Sequence, residues 1–558
     1  MWKCSQIVKR VSLVWLCILA VVVPAAGTET QKPVLIISVA GYQKLVDDLG
    51  QLGQWGARPE LGTALEGIVS LATGGKGLLG LDKTRPVSLV IQTDGRQFIP
   101  YLLLPVTDLE KFLSVVEPLL TNPITKKDGI YEVSLERGRK LFLQTRGQQW
   151  AVAAETQEAL ASVPQQISED LQQKLPEPWT VGISLLTKNI APEQRRQWAE
   201  RLRSQAQREL IPRPGETEED FKVRKWLSEW LADWLASLLD QVETLQIGLG
   251  VDNQAEALVA EMALQPVAGS ALADAIQQAG QTKTAFAGLL MADATLSGHG
   301  VLRYPAGEFH QIAPLVEMLK VRAIQQRPRP DQTPEQAQLQ RELRAAIFDL
   351  VEKTLKSGRI EGALSVVLQP DQFTLLAGLY VADGKAVEKL IERAVAEARK
   401  VRPVEVDQYV KLRAEQFHGV NLHVVRFPLP PEAERRDALL KLIGPEVELV
   451  LGTGPESLYM ALGKSAESTL RQAIQKDAQG AQPVAPMAAG LAIKPLLAML
   501  AEHGQPDQKE KARQWMEKIS GKDRLQLALE SCQGRLRLRL QIQRDVLAVL
   551  ADAVEGSR

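Results

Sequence analysis

Cysteine is almost absent. Of three in 558 residues, Cys4 and Cys17 fall at the very start, and only Cys532 lies downstream. No intrachain disulfide can then staple the body of the chain, so its stability must come from a buried core, which roughly 530 residues can supply. Histidine is scarce too: His299, His310 and His503 have no neighbouring ligand pattern, and His418 and His423 are five apart in a strand-like stretch, on opposite sides. That spacing does not make a zinc centre. None of the four asparagines, Asn122, Asn189, Asn253 and Asn421, begins an Asn-x-Ser/Thr sequon.

Charge of one sign is also missing. Lysine and arginine number 66 against 67 acidic residues, and removing residues 1–27 leaves 63 against 67, a charge of −4. Such a chain has no general attraction to nucleic acid or to anionic membrane. The apolar stretch at residues 11–23 is shorter than the ~20 residues a membrane-spanning helix needs, so the mature chain is expected to carry no transmembrane segment. The glycine-rich stretch 74–80 lacks the Gly-x-x-x-x-Gly-Lys-Ser/Thr order and reads as a helix terminator ahead of a strand at Val87. No Gly-x-Ser-x-Gly elbow, His-Glu-x-x-His helix or Ser-x-x-Lys motif stands in a suitable context, and pairs such as Glu218 and Glu219 have no glycosidase geometry. No cofactor is called for.

What is present begins with compartment. Lys3, Lys9 and Arg10 precede the apolar stretch, and Pro24 and the small residues 25–27 follow it. This is the order of a secretory signal, so residues 1–27 are expected to be removed and the protein exported, periplasmic or extracellular. A retained N-terminal membrane anchor is the alternative.

The chain is organised around residues 362–400. Leu364, Val366 and Leu368 alternate with Ser365, Val367 and Gln369 as in a strand. Pro370 and Asp371 break it, residues 373–381 read as a second strand, and Asp383 offers an N-cap to a helix with Val387, Leu390, Ile391, Ala394 and Val395 along one face. Residues 85–119 echo the unit, with a capping box expected from Thr107 and Glu110. A second echo closes each half: Leu245, Ile247, Leu249 and Val251 alternate as Leu525, Leu527 and Leu529 do, and residues 272–276 match 550–554.

These echoes imply an internal repeat with a boundary near residues 280–284: a first half at 28–281 and a second at 282–558. Each half is expected to run through the same series, opening with strands at 34–39 and 285–291. Strands joined by short turns, with helices after pairs of strands, predict an α+β fold of two duplicated halves, each a mainly antiparallel sheet built from strand-strand-helix units with helices covering one face. Thr333, Pro334 and Gln336 mark a capped helix start.

Two sets of side chains invite a functional reading. Trp226, Trp230 and Trp234 recur every four residues on a helix starting near Thr217; they would make a partner or interface surface, although an acidic leading segment and a leucine-rich stripe favour a core-facing helix. Arg535, Arg537 and Arg539 alternate with leucines, a possible anion-binding face whose simpler reading is the solvated side of a strand.

The exported start, the strand-strand-helix units and stretches such as Val106, Thr107, Asp108 and Leu109 or residues 150–154 together resemble uncharacterised secreted bacterial proteins of the domain-of-unknown-function type. That resemblance implies an exported α+β fold and carries no catalytic residues with it. Function is therefore expected to be non-catalytic, a binding or scaffold component of the bacterial cell envelope with an envelope protein as partner. The alternatives are a carrier of a lipid or other hydrophobic ligand, and an exported hydrolase with an unrecognised site.

Overall fold

A computed structural model describes residues 31–56, 58–135, 138–165, 167, 179–208, 210–305, 309–325, 333–429 and 436–555. The expected signal segment at 1–27 lies outside them. The chain divides into two compact units, one of Met1–Leu210, Glu229–Asp274 and Leu550–Arg558, the other of Ile211–Ser228 and Ala275–Val549. The fold is α+β, with extensive antiparallel sheet and 16 helices among the described residues.

In the first unit the strands are β1 (Lys32–Val39), β2 (Val87–Thr93), β3 (Phe98–Pro105), β4 (Thr125–Lys127), β5 (Ile130–Ser134), β6 (Lys140–Arg146), β7 (Trp150–Ala154), β8 (Val181–Leu185), β9 (Val242–Asp252) and β10 (Ala257–Pro266). They lie in the order β10-β9-β8-β1-β2-β3-β7-β6-β5-β4, every neighbour antiparallel. The helices are α1 (Tyr42–Trp55), α2 (Leu61–Ala72), α3 (Leu109–Val116), α4 (Gln157–Ser162), α5 (Pro192–Arg208), α6 (Glu218–Gln241) and α7 (Ala271–Ala279); α6 and α7 each run across the division between units. Thr73 caps the end of α2, and Gly74, Gly75 and Gly77 follow with positive φ, as a helix terminator requires.

The second unit holds β11 (Leu296–Arg303), β12 (Arg359–Gln369), β13 (Gln372–Tyr380), β14 (Val410–Phe417), β15 (Val420–Pro428), β16 (Glu446–Thr453), β17 (Ser457–Gly463), β18 (Met487–Ala492), β19 (Arg524–Cys532) and β20 (Arg535–Gln543). Their order is β20-β19-β18-β11-β12-β13-β17-β16-β15-β14, again antiparallel throughout. Its helices are α8 (Phe309–Ile324), α9 (Pro334–Lys356), α10 (Gly384–Val401), α11 (Pro403–Tyr409), α12 (Arg436–Ile443), α13 (Ala466–Asp477), α14 (Ile493–His503), α15 (Pro506–Lys518) and α16 (Arg544–Glu555), the last also crossing the division. The capping box of Thr333 and Gln336 opens α9, and the Asp383 carboxylate accepts from the Ala386 N–H at the start of α10.

Three expectations are corrected. Residues 285–291 do not form a strand: Ala287–Leu289 is a single 3-10 turn, a two-residue strand at Lys283–Thr284 pairs with Gln482–Pro483, and the first strand of this unit's large sheet is β11. Phe286 and Leu289 are fully buried in the core, so the apolar run acts as a plug, while β11 is held by ladders on both sides despite Gly298 and Gly300. Thr107 and Glu110 do not cap α3. Asp108 does, accepting from the Lys111 N–H at 3.1 Å, because Glu110 is drawn away to Lys126 and Tyr131, each at 2.7 Å.

Helices also do not keep to one face. In the first unit, Leu160 of α4 packs with Ile36, Val90, Tyr101 and Leu103, whereas Leu109 and Leu113 of α3 pack with Leu102, Leu104, Ala151 and Ala153. Consecutive residues of a strand point to opposite faces, so the apolar run of β3 is covered from both sides.

Candidate apolar binding site

Helix α10 ends where Arg402 leaves the helical conformation, with φ of −137° and ψ of 67°, ahead of Pro403, which starts α11. Proline lacks the N–H that would continue the helix and disfavours helical backbone in the residue before it, so the chain turns here. The turn places α10 and α11 beside β14 and β15. Between them lies an open cavity of about 370 Å³ lined by Ala398, Val401, Val406, Tyr409, Val410, Val425 and Phe427, with Arg402 and Glu405 completing it. Val406 is buried, while Val401 and Phe427 remain exposed. Arg402 and Glu405 pair with each other at 3.3 Å, so the polar residues bring no net charge. The volume is at the small end of the range for ligand sites, and the lining is aliphatic and aromatic.

The sheets offer apolar surface as well. In the first unit, Val39 faces Val181, Val181 faces Leu249, and Ile247 faces Met262 across the ladders, all on one face. These five side chains are 37–44 % exposed, whereas Ser38, Ser184 and Val259 on the opposite face are buried. In the second unit, Leu302 faces Ile360, and Met487 and Leu379 flank the pair Gly300 and Gly362. They too are exposed, at 37–56 %, while Glu361, Ala363 and Ser365 on the other face of β12 are buried.

Polar groups are committed elsewhere. Glu361 has no exposed side-chain surface; it accepts from the Thr284 hydroxyl at 2.9 Å and the Ala285 N–H at 2.5 Å, and takes two bonds from the Arg359 guanidinium. Asp477 accepts from the Gly288 N–H at 2.6 Å and from the Tyr459 hydroxyl at 3.3 Å. Burial, with the Glu361 charge adding to it, pushes the Asp477 carboxyl up to about 6. Together the two carboxylates clasp residues 284–288 against the core.

A second cluster pins the bulge in β14, where Arg413 has φ of +47°. His423, buried, accepts from the Arg413 N–H through Nδ1 at 3.3 Å, which leaves Nε2 to donate to the Thr453 hydroxyl at 3.2 Å. Burial holds its pKa below the usual histidine value. Glu388 is pushed up by burial, but bonds from Arg413 and Asn421 outweigh this and leave it below the ordinary range. His418, by contrast, is exposed at the turn before β15.

The side chains singled out from the sequence fall as follows. On α6 the buried residues are Ala232, Ala236 and Leu239; Trp230 and Trp234 stack with ring centroids 6.4 Å apart and are 38 % and 47 % exposed, and Trp226 is half-buried. The tryptophan stripe is therefore not core-facing. Small alanines let α6 approach Ala199 and Leu202 of α5, which turns the bulky stripe outward. Arg535, Arg537 and Arg539 lie on one side of β20, with Arg537 facing and pairing with Glu530 across the ladder. The cavity at the end of α10 was missed from the sequence. Its one legible signal is the helix break at Arg402–Pro403, with Val401 and Val404 flanking it.

Among the described residues, no group of three or more His, Cys, Asp or Glu is arranged to hold a metal ion, and no helix is long and apolar enough to cross a membrane. Comparison with protein-family models, with curated proteins and with solved structures returned no match.

Proposed function

We propose that this is an exported, non-catalytic binding protein of the bacterial cell envelope, whose cargo is a lipid or another hydrophobic ligand. The observation that carries the reading is the open aliphatic cavity of about 370 Å³ at the end of α10. The exposed aliphatic sheet face in each unit supports it, because contiguous apolar surface left open on a large protein marks a binding surface. The buried carboxylates argue against hydrolysis, since Glu361 and Asp477 are occupied in holding the backbone at residues 284–288.

The same reading takes the chain as a tandem duplication, residues 28–281 and 282–558, preceded by a cleaved signal at 1–27. Its support is the strand order, which is the same for β1–β10 as for β11–β20, and the recurrence of the exposed aliphatic row at matching register, Val39 with Val181 and Gly300 with Met487.

Native mass spectrometry of the mature chain, isolated from its own envelope without detergent stripping, tests the proposal. A retained lipid-sized mass is expected. Retention of a protein instead would favour a scaffold, and a bare chain that also fails to take up a fluorescent alkyl probe would overturn the ligand reading. Phe427→Asp, which puts a charge into the cavity lining, should weaken probe uptake at least roughly tenfold.

A further inference from the structure

Arg146 ends β6 and sits directly opposite Trp150, which begins β7, so their side chains leave the same face with Cβ atoms about 5 Å apart. Both are buried, Arg146 at 1 % and Trp150 at 5 % exposure. The guanidinium donates through its two terminal nitrogens to the Gln144 side-chain oxygen and to the carbonyls of Thr145 and Leu160. Every one of these acceptors is neutral. Among the described residues no carboxylate pairs with Arg146, and its Nε–H and the indole N–H of Trp150 both lack an acceptor.

A buried cation left without a counter-charge costs several kcal/mol, and each orphaned donor adds to it. The Arg85 guanidinium, 5.8 Å from the Trp150 ring centroid, makes the local field more positive still, although Arg85 is itself paired with Asp82. A water molecule could accept from both donors but would leave the charge uncompensated. A small anion does both at once.

We propose that Arg146 and Trp150 form a buried binding site for a small monovalent anion of halide size, held by the Arg146 Nε–H and the Trp150 indole N–H. Bound there, the ion stabilises the β6–β7 hairpin by mass action, because it binds the folded unit and not the unfolded chain.

The test is thermal unfolding of the mature chain at fixed ionic strength while sodium gluconate is replaced by sodium chloride or bromide. A saturable rise in the midpoint is expected, together with a bromide anomalous-scattering peak within hydrogen-bond distance of both nitrogens. Trp150→Phe keeps the ring and deletes one donor, so the halide concentration needed for half of the effect should rise roughly tenfold. Arg146→Met should remove the effect. An equal halide response in the parent chain and in Trp150→Phe, or no saturable response in the parent, overturns the proposal even if Arg146→Met does not fold.

Discussion

The two units build the same stretch of sheet and fill it differently. Counting along the ladders from Val39 with Val87 and from Gly300 with Gly362, Leu103 of β3 stands where Gly378 stands in β13. In the first unit Leu103 is fully buried and fills the core by itself. At Gly378 a Cβ would lie 2.4 Å from the Leu289 side chain and 2.7 Å from that of Phe286. At this position the second unit thus fills its core with Phe286 and Leu289 from the turn at 286–289 and leaves the strand bare to receive them. Polar groups then become necessary: a turn lying inside a core must have its N–H groups bonded, and Glu361 and Asp477 do this. One solution is local and apolar; the other is long-range and needs buried carboxylates.

The sharpest way to break this comparison is to remove the plug. Phe286→Ala should cost about 3–5 kcal/mol, as for other buried aromatics. Hydrogen exchange should show the loss of protection in β12 and β13, with β2 and β3 unchanged. Equal loss in both units would mean that they unfold as one.

Next in size is the clasp. Glu361→Ala strips Arg359 of its buried partner and the Ala285 N–H of its acceptor, and should destabilise the second unit by about 3 kcal/mol. Urea denaturation measures it, and a change under about 1 kcal/mol would show that the turn is held by packing alone.

The pH response should also separate the units. The Asp477 carboxyl, raised to about 6 in the folded state, binds its proton between pH 4 and 6, where the unfolded chain has already released it. Stability from this group must then fall as pH rises through that window, so acidification from pH 7 to 5 should bring a contribution from Asp477 on the order of 1–2 kcal/mol, opposed by His423, whose lowered pKa lets the unfolded chain take up that proton first. Asp477→Asn should remove the stabilising part and leave the second unit losing stability over the same interval through His423. In the first unit, Asp82, Asp94 and Asp108 are held below their ordinary range, Asp82 and Asp108 chiefly by hydrogen bonds and Asp94 by backbone N–H groups that overcome its burial. Their contribution is present above the unfolded carboxylate pKa and is lost only at lower pH, so the first unit should not gain stability between pH 7 and 5.

The smallest difference expected is at the N-caps. Asp108 of α3 and Asp383 of α10 make the same bond to the third N–H of their helices. Asp108→Ala and Asp383→Ala should each cost about 1 kcal/mol by denaturant titration, and a large inequality would show that the Lys353 pair with Asp383 matters beyond the cap.

Much of the fold could be read along the chain. The strand-turn-strand-helix unit at 362–400 falls within two or three residues of β12, β13 and α10, because period-2 alternation, a Pro-Asp break and an Asp cap are all local signals. The short strand β4 and the bulged β14 were not legible, since Thr125–Lys127 and Val410–Phe417 lack clear alternation and are defined by their ladder partners. The apolar run at 285–291 misled for the opposite reason: it carries the composition of a strand, but its value lies in filling the space above Gly378.

The candidate sites divide in the same way. The tryptophan spacing on α6 was plain, yet spacing gives only which residues share a face. Which face meets the rest of the protein was settled by the alanines that allow α5 to come close. The cavity at the end of α10 depends on four elements between Gly384 and Pro428 meeting side by side, and the pairing of Arg146 with Trp150 as unsatisfied donors depends on what does not reach them.

By itself, then, the sequence determined the α+β class, the positions of most strands and caps, and the absence of a disulfide framework, because each rests on residues near one another in the chain. Only the tertiary structure decided which apolar faces are covered, which aliphatic rows stay open, where carboxylates are buried and which donors lack acceptors. Burial and hydrogen-bond satisfaction are properties of neighbours in space, and those neighbours come from residues as far as 255 positions apart, as in the bond from the Ser531 hydroxyl to the Ile276 carbonyl.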